Sequence, residues 1–338
     1  MQYLQDLDIS VYIIHVQKRR EGLLKSDKRD ALGLANQLYN QLERGIQVDD
    51  PLQAVRRLAH PTEAAAQLRG MVQHHAELVV ESTRRKNKLT SICDELFPEF
   101  TRLLLNPNLP TALALRSQFP TPTLLAQASF AQLREARGKT CSVSDAKLRA
   151  LQHLAAQSIG IKDPARVNAL VFEQKQLIAE LHLLGEHLEQ LEKNIAQIVE
   201  HSREGKILTS IPGIGSQAAA ALIATIGTIA NFERPAQLKS YFGWVPKIAQ
   251  SGSTLSWSRL TPRGVRSMRQ TMYLIVWRAI QWDADWKEAY DRLIARKCHV
   301  DERTRRLVGR EKVIGQLAGQ MTSVIFVLLK KTWKCFLI

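Results

Sequence analysis

Residues 208–227 read LTSIPGIGSQAAAALIATIG, and the organisation of the chain follows from them. Leu208 to Ala224 predicts a helix, a tight glycine turn and a second helix. Gly213 and Gly215 allow backbone amides at the start of the second helix, where Ser216 stands, to approach a phosphate closely. Such a turn holds a duplex backbone without reading its sequence. A plain structural turn between core helices accounts for the same residues.

Outward from the turn the sequence carries one sign of charge. Between Glu233 and Asp283 there is no carboxylate, but eight basic residues: Arg234, Lys239, Lys247, Arg259, Arg263, Arg266, Arg269 and Arg278. A segment this one-signed repels itself unless it faces a polyanion, so double-stranded DNA or another nucleic acid is the expected partner. Chemistry inside the segment cannot use Asp or Glu. It needs a hydroxyl nucleophile, or carboxylates brought from elsewhere.

The chain has 338 residues and a formal net charge of +15. Residues 1–202 hold 25 Lys/Arg against 23 Asp/Glu, whereas residues 203–338 hold 22 against 9. The polyanion-binding face therefore belongs to the C-terminal part. Cys93, Cys141, Cys298 and Cys335 are scattered without a CxxC pair, which speaks against a disulfide framework or zinc site and for a reducing cytoplasm. No signal peptide is visible, and apolar runs fall short of the ~18–20 residues of a membrane span, so no membrane partner is expected. The apolar run from Val313 to Leu329 is interrupted by Gln316, Gln320 and Thr322 and reads as a packed helix.

Three regions precede the basic one. Ile9–Val16 (ISVYIIHV) is β-branched and apolar and predicts a buried strand, followed by a helix from Asp27 or Lys28. Residues 62–96 predict a long helix with Leu68, Met71, His75, Leu78 and Val79 on one stripe, stopped by FPEF at 97–100. Residues 101–166, with five prolines, predict shorter helices and turns. A second long helix is expected from about Arg166 to Ser202. There Leu181, Leu188 and Ile195 share one heptad position, and Leu170, Leu177, Leu184, Leu191 and Ile198 another. That spacing suits a coiled coil, either with the 62–96 helix of the same chain or with a second chain.

Two places are candidates for chemistry. Asp27 and Asp30 lie three apart at a helix start, where both carboxylates could share a divalent metal, or simply favour the helix dipole. Ser251-Gly252-Ser253 reads as a polar loop before a basic helix. Arg263, Arg266 and Arg269 recur every third residue there and could clamp phosphates beside a scissile bond. By composition alone, such a loop is as well explained as a loop.

PGIG with its flanking helices resembles helix-hairpin-helix DNA-binding motifs. Together, KSDKRDA at 25–31 after VYIIHV, the long helices ending in FPEF, and 208–227 followed by FERPAQLKSYFGWVPKIAQSGSTLSWSRLTPRGVRSMRQ at 232–270 resemble the insertion-sequence-110 family of bacterial transposases. These are the DEDD-type elements related to pilin-gene invertases. The resemblance implies an α/β plus mainly α chain in three parts. Residues 1–60 would be the remnant of a RuvC-like, RNase-H-type domain whose Asp-Glu-Asp-Asp tetrad binds magnesium. Residues 61–204 would be helical and coiled-coil, and 205–338 the C-terminal transposase domain with a helix-hairpin-helix and a Ser-Gly motif. Asp27 and Asp30 match the last two tetrad acids and Ser251 the catalytic serine. The family further implies recombination guided by a structured RNA, in homo-oligomers whose subunits share active sites.

One departure stands out. In the family the first Asp and the Glu lie upstream of the KSDKRDA-like block, on the opening strands. Asp6 and Asp8 fall in the turn before VYIIHV and are poor substitutes, so N-terminal truncation is expected. Two further readings remain: an oligomerising DNA- or RNA-binding protein without activity, and a structure-specific nuclease.

Overall fold

The computed structural model describes residues 9–10, 12–13, 27–46, 55–138, 143–251, 254–260 and 264–334, with 246–260 and 332–334 described through their backbone. The described residues are mostly helical. Two compact units divide the chain: residues 1–69 with 198–338, and residues 70–197.

In the first unit, β1 (Tyr12–Ile13) pairs antiparallel with β2 (Arg56–Arg57). The strand expected over 9–16 is described only at these two residues and at Ile9–Ser10, which lie outside strand. Helix α1 (Asp27–Leu42) begins where the sequence places a helix start. None of its residues is buried, and Leu32, Leu34, Leu38, Tyr39 and Leu42 are exposed. The segment after β2 is joined to the C-terminal part of the unit: the Ala59 amide donates to Asn231 Oδ1 (2.8 Å) and the Thr62 amide to the Gly227 carbonyl (3.0 Å).

Helix α2 (Glu63–Leu96) and helix α8 (Pro164–His201) each contain a boundary between the units. Between them lie α3 (Pro98–Leu103), α4 (Pro110–Gln118), α5 (Pro122–Gln127), α6 (Phe130–Arg137) and α7 (Asp145–Ala156). Proline at the first position starts α3, α4 and α5, where its missing N–H costs nothing. A capping box of Ser129 and Gln132 starts α6. Phe97, Phe100, Leu115, Leu125, Leu133, Leu148 and Leu151 form the core of these short helices.

Within the second unit, α2 and α8 run antiparallel. Leu89 packs with Ile178 and Leu181, and Ile92 and Leu96 pack with Leu170. Ion pairs Arg85–Glu180 (3.0 Å), Lys88–Glu173 (3.3 Å) and Arg166–Glu95 (2.7 Å) flank this seam in descending order along α8. Over this stretch α8 packs against α2 of the same chain. Of the heptad residues, Leu170, Leu181, Leu184 and Ile195 are buried, whereas Leu177, Leu188, Leu191 and Ile198 are half-buried.

The seam also buries a polar group the heptads hide. Arg116 (4 % exposed) donates from Nη2 to the Leu89 carbonyl (2.7 Å) and to Gln174 Oε1 (2.8 Å), and from Nη1 to the Pro107 carbonyl (3.2 Å). Gln174 returns a bond to the Arg116 carbonyl (3.3 Å). One guanidinium thus ties α2, α4 and α8 together through neutral carbonyl acceptors. Burial lowers its pKa from the ordinary arginine value and pushes the neighbouring Cys93 thiol up to about 11.

After α8, the first unit resumes with α9 (Arg203–Thr209), α10 (Ser216–Ile226) and a 3-10 turn at Ile229–Asn231. Then come α11 (Pro235–Phe242), β3 (Pro246–Ser251), β4 (Thr254–Leu260), α12 (Arg266–Trp282), α13 (Ala284–Lys297), the β5 (His299–Val300) and β6 (Leu307–Val308) hairpin, and α14 (Arg310–Lys334). By length and composition α14 could cross a membrane. Its Val313, Ile314, Leu317, Ala318, Met321 and Ile325 are fully buried, and buried Thr322 donates to the Ala318 carbonyl (2.8 Å). The helix is the central packing element of its unit, as its interrupted apolar pattern predicts.

Candidate nucleic-acid interface

The turn between α9 and α10 is built from Ile211 to Gly215. The Ile211 amide donates to Leu208 and the Ile214 amide to Ile211 (both 3.1 Å), while Ile211 and Ile214 are buried. The two glycines do different work. Gly213 has φ +86, and a Cβ there would lie 2.6 Å from the Ile275 carbonyl oxygen and 2.7 Å from the Ala279 nitrogen. The turn is thus seated against the backbone of α12. Gly215 is extended at φ −88, is exposed, and has nothing within 4 Å of its Cβ position. It is the N-cap of α10 and no side chain caps that end, so first-turn amides from Ser216 onward face outward from an uncapped helix start.

Beside the turn is an open pocket of about 350 Å³, lined by residues 209–215 together with Arg278 and Trp282 of α12. No carboxylate lines it. Both α12 residues are exposed, Trp282 by 82 %. The sequence marks Arg278 as one of the basic residues of the acid-free stretch, but nothing in it marks Trp282, whose one signal is its one-turn spacing from Arg278.

Residues 246–251 and 254–260 form an antiparallel hairpin, so Ser251, read from the sequence as part of a polar loop, ends a strand. The register pairs Pro246 with Leu260, Lys247 with Arg259, Ala249 with Trp257 and Ser251 with Thr254, with an irregularity after Ala249 that leaves Ser256 unpaired. Ser251 therefore stands at the hairpin tip. Gly252 and Ser253 lie outside the described residues, as does Arg263.

The base of this hairpin is fixed by α11. Gly243 ends that helix at φ +77 in a Schellman arrangement, with Trp244 N–H donating to Lys239 O (2.9 Å) and Gly243 N–H to Ser240 O (3.0 Å). Gly264, at φ +102, lies so close that a Cβ would come within 2.6 Å of the Gly243 nitrogen. The Val265 amide closes the crossing onto the Tyr241 carbonyl (3.0 Å). Two glycines thus bring the segments flanking the hairpin together.

Helix α12 begins at Arg266, so the every-third-residue arginine face applies to Arg266 and Arg269 alone. Both sit in the first turn, which itself holds no acidic residue. Cations there oppose the helix dipole, a placement that an external anion would relieve. Arg266 is exposed and Arg269 half-buried.

Asp27 and Asp30 occupy the first turn of α1, Asp27 exposed and Asp30 half-buried. Among the described residues no group of three His, Cys, Asp or Glu is arranged to hold a metal ion.

Residues 205–291 match the profile of the transposase IS116/IS110/IS902 family. These residues are an IS110-family transposase domain. The match takes in the α9–α10 turn, the β3–β4 hairpin and α12. Over a longer stretch, the chain is 26 % identical across 314 residues to an uncharacterized 43.6 kDa protein of insertion element IS110 from Streptomyces coelicolor, covering 91 % of this chain and 71 % of that protein. It is 22 % identical across 256 residues to an uncharacterized 44.8 kDa protein of insertion element IS116 from Streptomyces clavuligerus, covering 75 % and 61 %. The family resemblance read from three sequence blocks is borne out. The transposase domain holds Ser251, Gly213, Gly215, Ser216, Lys247, Arg259, Arg263, Arg266 and Arg269, while Asp27 and Asp30 precede it.

Proposed function

We propose that this chain is a DNA strand-cleaving and strand-exchanging recombinase of a bacterial insertion sequence, with Ser251 as its nucleophile. The observation that carries the reading is a serine at the tip of a hairpin, inside an acid-free and arginine-flanked segment of a transposase domain. Ser251 Oγ forms a bond to phosphorus as one P–O ester bond of the strand breaks. The hydroxyl proton passes to the departing sugar oxygen, and the covalent link is later resolved by attack of another strand's hydroxyl. Arg266 and Arg269, with Lys247, Arg259 and Arg263, oppose the charge that develops on the phosphate. Gly215 and Ser216 hold duplex backbone at the α10 start, in the manner of a helix-hairpin-helix.

Magnesium is the cofactor of this reading, and would polarise a phosphate oxygen as a Lewis acid. Asp27 and Asp30 are the carboxylates α1 offers it. Two carboxylates alone do not fill an octahedral site, so the described residues do not by themselves fit a two-metal centre. A RuvC-like N-terminal fold, a structured guide RNA, a homo-oligomer with shared sites and a cytoplasmic setting complete the proposal. The exposed apolar residues of α1 support assembly with further protein surface.

A second reading, an oligomerising DNA- or RNA-binding protein without strand cleavage, is favoured by that two-carboxylate shortfall. Two measurements separate the readings. Duplex affinity that falls steeply with salt supports nucleic-acid binding in both, and salt-insensitive affinity contradicts both. Strand cleavage and joining lost in Ser251→Ala and kept in Ser253→Ala supports the recombinase alone. Hydrolysis without joining would point instead to a nuclease.

A further inference from the structure

The Trp282 indole, exposed by 82 %, belongs to neither the hairpin nor the core, and it opens onto the pocket beside the α9–α10 turn. We propose that this pocket takes one unpaired nucleotide of a DNA strand, its phosphate at Arg278 and the backbone of the 209–215 turn and its base stacked on Trp282. The inference rests on the nucleic-acid-binding part of the proposed function and extends it from duplex backbone to a displaced base.

Four observations carry it. The lining joins one guanidinium and a polar backbone turn to one aromatic face, with no carboxylate to repel a phosphate. Arg278 and Trp282 are one helical turn apart on α12, so they share a face. Ile275 and Ala279, at i, i+3, i+4 and i+7 spacing with Arg278 and Trp282, lie on that same face and are buried beside them. The turn is locked to α12 by the close approach of Gly213 to Ile275 and Ala279, which fixes the polar wall relative to the aromatic one. At about 350 Å³ the pocket has the size of a small-molecule site rather than a duplex groove. Every base has a stackable face, so such a site is indifferent to sequence.

The test compares labelled oligo(dT), oligo(U) and a blunt duplex by fluorescence anisotropy, using the full chain, Trp282→Ala and Trp282→Phe. Stacking on an aromatic is worth ~1–3 kcal/mol per base, so Trp282→Ala should weaken oligo(dT) binding by roughly 5- to 100-fold. Trp282→Phe should retain most of the affinity, and blunt-duplex affinity should stay within about twofold in both variants. Unchanged oligo(dT) binding in Trp282→Ala, an equal loss on duplex, or a loss confined to oligo(U) each overturns the inference. Salt-dependent duplex binding by a chain that ignores oligo(dT) would sink this inference and leave the proposed function standing. Failure to bind either would remove both.

Discussion

Alanine placed separately at Gly213 and Gly215 should destabilise the fold to very different extents, although the two glycines stand in one PGIG motif. At position 213 the new Cβ meets backbone atoms of α12, Ile275 O at 2.6 Å and Ala279 N at 2.7 Å, and neither can swing aside. The positive φ adds its own cost. Left-handed backbone strain of about 1–2 kcal/mol and overpacking of about 1–3 kcal/mol together destabilise the unit by roughly 2–5 kcal/mol. For a body of this size, at about 2–4 °C per kcal/mol, the melting temperature should fall by roughly 4–20 °C. Gly215 is extended and faces open space, so Gly215→Ala loses only a slightly better N-cap, about 0.5 kcal/mol, and shifts the transition by roughly 1–2 °C. Thermal unfolding followed by circular dichroism at 222 nm, on the full chain, reads both. A Gly213→Ala protein melting within 1 °C or so of the parent, or a Gly215→Ala protein falling as far as Gly213→Ala, would refute the assignment of one glycine to packing and the other to the open surface.

Acidification should destabilise the second unit. Hydrogen bonding from Arg166 holds Glu95, and from Arg134 and Arg137 holds Asp145, below the usual carboxylate range. Because these folded-state pKa values lie below the unfolded ones, the stabilisation is complete at neutral pH and is lost as pH falls through the lowered values. The melting temperature should drop below about pH 4, with a shallower drop in Glu95→Gln; a flat acid limb contradicts this. The Cys93 thiol, buried and pushed up to about 11, should resist iodoacetamide at pH 8 in the folded chain and react once denatured, as read by peptide mass spectrometry. Rapid native labelling would show that the core beneath the short helices opens. Calorimetric titration with magnesium should detect only weak binding at Asp27 and Asp30, and a tight stoichiometric site would mean that further acids complete it.

Periodicity made much of the fold legible. The heptads of α8 mark Leu170, Leu181, Leu184 and Ile195 as buried, and proline and glycine mark where helices start and stop. They could not name the partner, because an apolar stripe carries no address. The flanking pairs Arg85–Glu180, Lys88–Glu173 and Arg166–Glu95 identify α2 only once the two helices are side by side. Gln174 reads as a surface residue, since nothing local signals that Arg116, 58 positions away, will bury it. At the candidate site, residue chemistry was legible and geometry was not. Leu255 and Trp257 alternate with serines as a strand should, but the register irregularity that leaves Ser256 unpaired is not written in the sequence. Gly213 and Gly215 look equivalent until α12 is packed against one of them, and Arg278 and Trp282 gain meaning only from the turn they face.

The central claim is that Ser251 attacks DNA. The chain should be incubated with magnesium and a nicked or gapped substrate that traps a covalent intermediate, digested, and searched by mass spectrometry for a nucleotide-bearing peptide. The account predicts a phosphodiester-linked adduct on Ser251, absent from Ser251→Ala and present in Ser253→Ala. Strand cleavage by the Ser251→Ala protein, or an adduct on any other residue, would contradict it.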